Sequence, residues 1–356
     1  MNVPDRHSNG GLRREFLKGG AAVAMFTLGP RVALADDQNW ATFKRRFIQN
    51  SERVVDTGNN DVSHSESQGW GMLFAESNGD KDTFQKLWQW TSATLQRGDG
   101  LFSWRWTPKA ADPVADKNNA ADGDILIAWA LARGAKRWQE PRWAASSQTI
   151  QGAILDQLAI EFQGRLILQP GVQGFTRGER RIVNLSYYVW PAINDFAQAA
   201  GEQTRWRRLD ADGLWLLDNA AFGTYRLPPD WLSIGSQEPR IADGWPPYFG
   251  FDAVRIPLYL AWRNEAARLG RFVSAWQTPQ FSGKPPAWIN LKDGSVAPFP
   301  SSGGYDAVLT LTQFVSDGML TKPPFAALAD ADDYYSASLK LLSNMAAQEA
   351  HLTKRT

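Results

Sequence analysis

Ser63-His64-Ser65-Glu66-Ser67-Gln68-Gly69-Trp70-Gly71-Met72 sets one glutamate among small polar residues, glycines and an indole, where an amphipathic pattern begins. Two further acidic knots stand ahead of apolar stretches. Asn118-Asn119-Ala120-Ala121-Asp122-Gly123-Asp124 precedes the run from Ile125, and Tyr248-Phe249-Gly250-Phe251-Asp252 precedes Ala253-Val254-Arg255. Working outward, apolar residues recur at helical spacing over Trp40–Phe47, Trp70–Glu76, Thr83–Leu95, Ile125–Arg133 and Trp143–Phe162, and again over Ser186–Ala200, Trp206–Ala221, Ala253–Leu269 and Tyr334–Gln348. Arg165–Leu168 and Trp288–Leu291, the latter followed by Asp293-Gly294, read as hairpin arms. No low-complexity linker or simple repeat interrupts this pattern, and only Thr278–Gly304 is a long Pro/Gly loop. The chain therefore reads as one predominantly α-helical domain. Its spacing of roughly 25 to 30 residues per helix and loop suits a helical toroid.

Composition narrows the chemistry. Arg13-Arg14-Glu15-Phe16-Leu17-Lys18, the short apolar run Gly19–Leu28 and Ala33-Leu34-Ala35 form a twin-arginine leader, residues 1–35, which implies periplasmic or secreted localisation of the mature chain 36–356. The apolar run is too short and glycine-rich to span a bilayer. The leader removes five of the 38 Lys/Arg and two of the 37 Asp/Glu, so the mature chain carries a formal charge of −2. That excludes nucleic acid or anionic lipid as an electrostatic partner. With no cysteine and three histidines, of which His7 leaves with the leader, thiol nucleophiles and His-rich metal centres drop out. Carboxylates remain as the catalytic groups, with no metal or cofactor implied. Seventeen tryptophans exceed what a core alone calls for, so a share of them should line a groove.

Each acid also has a purely structural reading. Ser63-x-x-Glu66 fits a capping box, Asp122 suits an N-cap for the helix from Ile125, and Asp252 suits another N-cap paired with Arg255. Functionally, Gly69 and Gly71 clear space beside Glu66 and Trp70 supplies a ring, a setting that raises a carboxyl pKa toward that of a general acid. Asp252 beside Arg255 should stay ionised, as a general base must. Carboxylates embedded in aromatics point to sugar chemistry: ring faces bind pyranoses while an acid and a base split the glycosidic bond.

Together these stretches resemble glycoside hydrolase family 8. Ala120-Ala121-Asp122-Gly123-Asp124-Ile125-Leu126-Ile127-Ala128 is similar to the family's Ala-[Ser/Thr]-Asp-[Ala/Gly]-Asp-x-x-[Ile/Met]-Ala, departing at Ala121, with Trp138 closing the pattern and Ala132 and Gly134 departing within it. Ser65–Met72 resembles Ser-Glu-Gly-x-Gly-Tyr-Gly-Met, Asn184-Leu185-Ser186-Tyr187 resembles Asn-Pro-Ser-Tyr, and Asp252-Ala253-Val254-Arg255-Ile256-Pro257 matches Asp-Ala-x-Arg-x-Pro. The resemblance implies an (α/α)6 barrel with a groove across one end and minor β-hairpins. It implies an inverting mechanism with Glu66 as proton donor, Asp252 as base and Asp122 as a ligand of the distorted sugar. Tyr187, Arg255, Trp104, Asp124 and Phe251 become substrate-binding candidates. Trp106 rivals Trp104 as stacking platform, and Phe251 lacks the hydroxyl of the tyrosine many relatives carry there.

Within the family, an exported lone catalytic domain looks most like the endoglucanases that accompany bacterial cellulose synthesis. The implied substrate is then a cellulose chain, with the synthase complex as a candidate partner. Chitosan, xylan and mixed-linkage glucan are alternative substrates for the same chemistry. A non-catalytic glucan-binding protein and a polysaccharide lyase are rivals of other classes. Retention of all three acids opposes the first, and the scarcity of histidine and basic groups opposes the second.

Overall fold

The computed structural model describes residues 38–48, 52–199, 203–281, 284–319 and 323–352. The leader expected at 1–35 lies outside them. Helical backbone over 38–48, π-wound across Lys44–Ile48, forms α1. It is followed by α2 (Ser65–Ser77), α3 (Lys81–Thr94), α4 (Ala121–Trp138), α5 (Pro141–Gln157), α6 (Trp190–Gln198) and α7 (Gln203–Asn219). The last four are α8 (Arg255–Trp262), α9 (Gly270–Trp276), α10 (Gly303–Ser316) and α11 (Tyr334–Leu352).

Among the described residues, α2, α4, α6, α8, α10 and α11 each touch the next, and α11 returns to α2, closing a ring. Against it lie α3 on α2, α5 on α4, α7 on α6 and α9 on α10. This is the expected (α/α)6 toroid, and burial explains which helices are inside. Every residue of α8 is buried, as is α2 from Ser67 to Glu76, and a helix covered all round needs neighbours on every side. The outer α3 buries only the stripe Phe84, Leu87 and Thr91.

Two glycines let the inner helices touch backbone to backbone. A Cβ built at Gly69 would stand 2.5 Å from the Leu126 Cβ, and one at Gly123 would stand 2.1 Å from the Ser65 Oγ. Gly69 therefore clears room for α4 rather than for a sugar. Gly71 does the same for Val54, and Trp70 is wholly buried.

Strand structure is marginal, as expected, and lies in the connections. Ser63–His64 (β1) pairs antiparallel with Arg105–Trp106 (β2), and Ala159–Phe162 (β3) with Arg165–Leu168 (β4). The helical stretch read to Phe162 thus ends at Gln157. Gln163 and Gly164, both at positive φ, form the tight turn that converts its tail into a hairpin. Thr176–Arg177 (β5), Arg180–Val183 (β6), Leu232–Ile234 (β7) and Arg240–Ile241 (β8) form a sheet in that order. Tyr248–Phe249 (β9) pairs with Ile289–Asn290 (β10), so the arm read at Trp288–Leu291 finds a distant partner; its near arm reaches only a bridge from Ile289 to Val296. The segment read as one helix over Ser186–Ala200 divides because Pro191 starts α6 afresh, leaving a single 3-10 turn at Leu185–Tyr187. Left-handed Asn264 likewise ends the helix read to Leu269.

Inner helices run the same way, and each rim of the toroid has its own ionic cluster. At the C-terminal rim, Arg133 Nε donates to the Glu76 Oε2 at 2.9 Å and Nη2 to the Glu349 Oε1 at 2.7 Å, while Trp262 Nε1 donates to the Glu349 Oε2 at 2.8 Å. Three inner helices and the last one are tied there. Arg133→Met should cost about 2–4 kcal/mol, short of the fully buried figure because the Glu349 side chain is 31% accessible. Urea unfolding measures it, and turnover at 25 °C should stay unchanged because the opposite rim carries the chemistry.

Candidate active site

At the N-terminal rim, the starts of α2, α4 and α8 bring Glu66, Asp122 and Arg255 together from positions far apart in sequence. Arg255 is the hub, with only 3% of its side chain accessible. Its Nη1 donates to the Glu66 Oε1 and, at 2.9 Å, to the Asp122 Oδ2; its Nη2 donates to the Asp252 Oδ1 at 2.7 Å and to the Ser186 Oγ at 3.1 Å. The Ser186 hydroxyl donates in turn to the Asn184 Oδ1 at 2.7 Å. The guanidinium carbon lies 5.9 Å from the Trp70 ring and 5.7 Å from the Tyr187 ring. Trp70 thus serves the arginine and not a sugar.

None of the three acids caps a helix. His64 caps α2 and Ser67 completes its box, Ala120 precedes α4, and Val254 precedes α8. Glu66 and Asp122 sit instead inside first turns, where the helix dipoles favour negative charge. Carboxylates so close to one cation are in surplus: fully ionised, the three leave two negative charges unmatched. Such a cluster holds on to a proton. Burial first, and the Asp252 charge second, push the Asp122 carboxyl up. Asp252 is also pushed up by burial, to about 6, with the Asn184 carboxamide working the other way. Arg255 beside Asp252 does not hold it in the ordinary carboxylate range, because its charge is shared with Glu66 and Asp122.

The candidates differ in access. Side-chain accessibility is 20% for Glu66 and 28% for Asp252, but only 3% for Asp122. Asp124 is fully buried, with Oδ1 accepting from the Phe102 N–H at 2.8 Å and Oδ2 from the Asn119 Nδ2 at 2.7 Å. It anchors the segment beneath Trp104 and is out of a substrate's reach, a correction to its reading as a sugar ligand. Alternate residues in a first turn point apart, which is why Asp122 and Asp124 cannot share the cleft.

Trp104 and Trp106 separate clearly. Trp106 is packed edge-on against Trp90 with Arg53 on its face, whereas Trp104 stacks parallel on His64 at 6.0 Å and its carbonyl accepts from the Ser65 N–H beside Glu66. Burial holds the His64 imidazole neutral, down to about 4. Phe251, 52% exposed, projects beside Asp252 with its edge on Tyr305. On the far side, Tyr187 meets Trp231 edge-on at 6.0 Å, and Trp231 is stacked by Phe175 at 5.7 Å and by Trp245 at 5.2 Å. Tyr248 and Trp288 stack at 4.2 Å in the turn leading to Asp252. Half-buried rings thus flank the acidic cluster on both sides, as pyranose-binding faces do.

Phe175, Trp231, Trp245 and Trp288 escaped the sequence reading, and so did Asp230, whose Oδ1 accepts from the Gly250 and Ala253 N–H groups. The signal was present: Asp230-Trp231 is an acid beside an aromatic, like Phe251-Asp252.

Glycosyl hydrolases family 8 matches residues 19–349. The chain belongs to this family. Among family 8 relatives, it is 44% identical over 275 residues to an endoglucanase of Cellulomonas uda, covering 77% of this chain and 76% of that one. It is 42% identical over 317 residues to a probable endoglucanase of Novacetimonas hansenii, covering 88% and 91%. Of solved family 8 structures, endoglucanase Cel10 of Klebsiella pneumoniae superposes with a TM-score of 0.82 at 43% identity, covering 88% of this chain and 99% of that one. A β-1,3-1,4-glucanase of Paenibacillus sp. X4 (TM-score 0.72, covering 89% and 91%) at 18% identity shares the fold alone.

Proposed function

We infer that this family 8 hydrolase is an endo-acting β-1,4-glucanase that cleaves cellulose with inversion. The observation that carries the reading is the convergence of Glu66, Asp122 and Asp252 on Arg255 at one rim, between two sets of half-buried rings. The names of relatives at 42–44% identity support the same substrate.

In the proposed reaction a glucan chain lies across the rim with its rings on Trp104 to one side and against the aromatic wall of Phe175, Trp231 and Trp245 to the other. Glu66, in its protonated form, delivers its proton to the leaving glycosidic oxygen. Asp252 takes a proton from water as that water attacks the anomeric carbon from the opposite face, so the bond to the leaving group breaks as the new C–O bond forms. Arg255 keeps the two carboxyls apart on different nitrogens. Asp122 anchors Arg255 and offers its accessible edge to the sugar at the scissile bond, and Phe251 packs on the neighbouring ring. The chain requires no metal in this scheme.

The twin-arginine segment Arg13–Lys18 supports export, with residues 36–356 as the mature catalytic domain. Its proposed place of work is the envelope, on cellulose chains as they emerge, alongside the synthase complex.

The test is carboxymethyl cellulose. Viscosity should collapse well before reducing ends accumulate, and proton NMR should show the α-anomer as first product. Turnover confined to chitosan or xylan, or the β-anomer appearing first, would overturn the reading. The acid limb follows from Asp252, which must be ionised to act: kcat/KM should fall about tenfold per pH unit below about pH 6. A flat profile down to pH 4 would remove Asp252 as base.

A further inference from the structure

Asp230, in the connection between α7 and β7, belongs to none of the motifs above. It is a half-buried carboxyl, and among the described residues no lysine or arginine pairs with it. Burial and then the Asp252 charge push it up, and Tyr305 also faces it. A half-buried carboxyl with no cation beside it is costly to keep and needs a reason.

Its contacts supply one. Asp230 Oδ1 accepts from the Gly250 N–H at 3.0 Å and from the Ala253 N–H at 2.7 Å, and the Asp252 N–H also faces it. Its own N–H donates to the Tyr248 carbonyl at 2.7 Å. The turn from Tyr248 to Ala253 is thereby closed on one side chain, and Asp252 is the residue that turn presents. Oδ2 abuts Gly250, where an added Cβ would stand only 2.9 Å away. The next residue is Trp231, whose ring meets Tyr187 over Arg255, so the groove wall and the base hang from adjacent residues.

We propose that Asp230 is the positioning residue for Asp252, acting through its carbonyl-type oxygen as the clamp of the Tyr248–Ala253 turn. The proposal rests on the reading of Asp252 as the base. Its consequence is separable from substrate binding by the split between kcat and KM.

The experiment is steady-state kinetics on carboxymethyl cellulose at 25 °C with Asp230→Ala, Asp230→Asn and Gly250→Ala, each confirmed folded by circular dichroism. Asp230→Ala should lower kcat about a hundredfold, the scale for misplacing a reacting group by about 1 Å, with KM moving less than about threefold. Asp230→Asn keeps an oxygen acceptor and should recover most of the rate. Gly250→Ala, which crowds the Oδ2 of the same carboxyl, should lower kcat without raising KM and serves if Asp230→Ala does not fold. Asp252→Ala and the double variant Asp230→Ala/Asp252→Ala separate the two readings. If Asp230 works through Asp252, the double variant is no slower than Asp252→Ala alone. A wild-type kcat in Asp230→Ala, a rise in KM equal to the loss in kcat, or an asparagine as slow as alanine would each overturn the proposal. An active Asp252→Ala would instead overturn the assignment of the base.

Discussion

Glu66→Gln and Asp252→Asn should each lower kcat on carboxymethyl cellulose by about 10³-fold, within the range for losing a general acid or base. Both substitutions are isosteric amides, and neither side chain is deeply buried, so unfolding temperatures should change little. The two can be told apart by leaving group. A dinitrophenyl β-cellotrioside departs without protonation, so Glu66→Gln should regain most of its rate on it, whereas Asp252→Asn should stay slow because water still needs its base. If neither variant responds to the leaving group, Glu66 is not the proton donor. If Glu66 stays slow and Asp252 recovers, their roles are reversed.

Arg255→Met should have the largest effect on the fold. The guanidinium donates to Glu66, Asp122, Asp252 and Ser186, and removing one side of a buried ionic cluster costs about 3–5 kcal/mol. The cost must depend on pH. Asp122 and Asp252 already titrate above the ordinary carboxylate range, so the folded state binds protons more tightly than the unfolded chain. Their folded form is therefore favoured at low pH and loses stability as pH rises through the raised values. Without Arg255 the raised values climb further, so the deficit should be small near pH 4, distinctly larger near pH 8 and still growing above it. Denaturant midpoints at the two pH values decide this; an equal deficit at both would mean the cluster is not governed by charge. Arg255→Lys should recover little, since one ammonium cannot reproduce the fork that spans three carboxyls.

Much of the site was legible because its chemistry is local. Glu66, Asp122, Asp252, Tyr187 and Arg255 each sit in a short stretch whose residue types are unusual, and the structure gathers the other four around the guanidinium of Arg255. The structural readings of those acids were equally legible and failed for a tertiary reason. A capping box depends on where the helix begins, and β1, paired with distant β2, hands the cap to His64 instead. Asp124 was misread because motif spacing does not reveal which face of a first turn is covered by Phe102 and Asn119.

Helix type followed from periodicity, yet α9 and α10 were missed and Trp143–Phe162 ran too long. A short amphipathic helix and a hairpin arm carry the same apolar content until a partner strand is supplied, here β4. The rings at Phe175, Trp231, Trp245 and Trp288 had no periodic signal, because the pairing of β6 with β7 and of β9 with β10, each distant in sequence, puts them in place.

By itself the sequence determined the class of chemistry and the helical class of the fold: carboxylates without thiols or a histidine cluster, and apolar stripes at helical spacing. Only the tertiary structure decided how those acids share charge. One buried cation among three carboxyls, and Asp230 clamping the turn behind them, arise when the ring of inner helices brings their N-termini to one rim, and no contiguous stretch of chain encodes that closure.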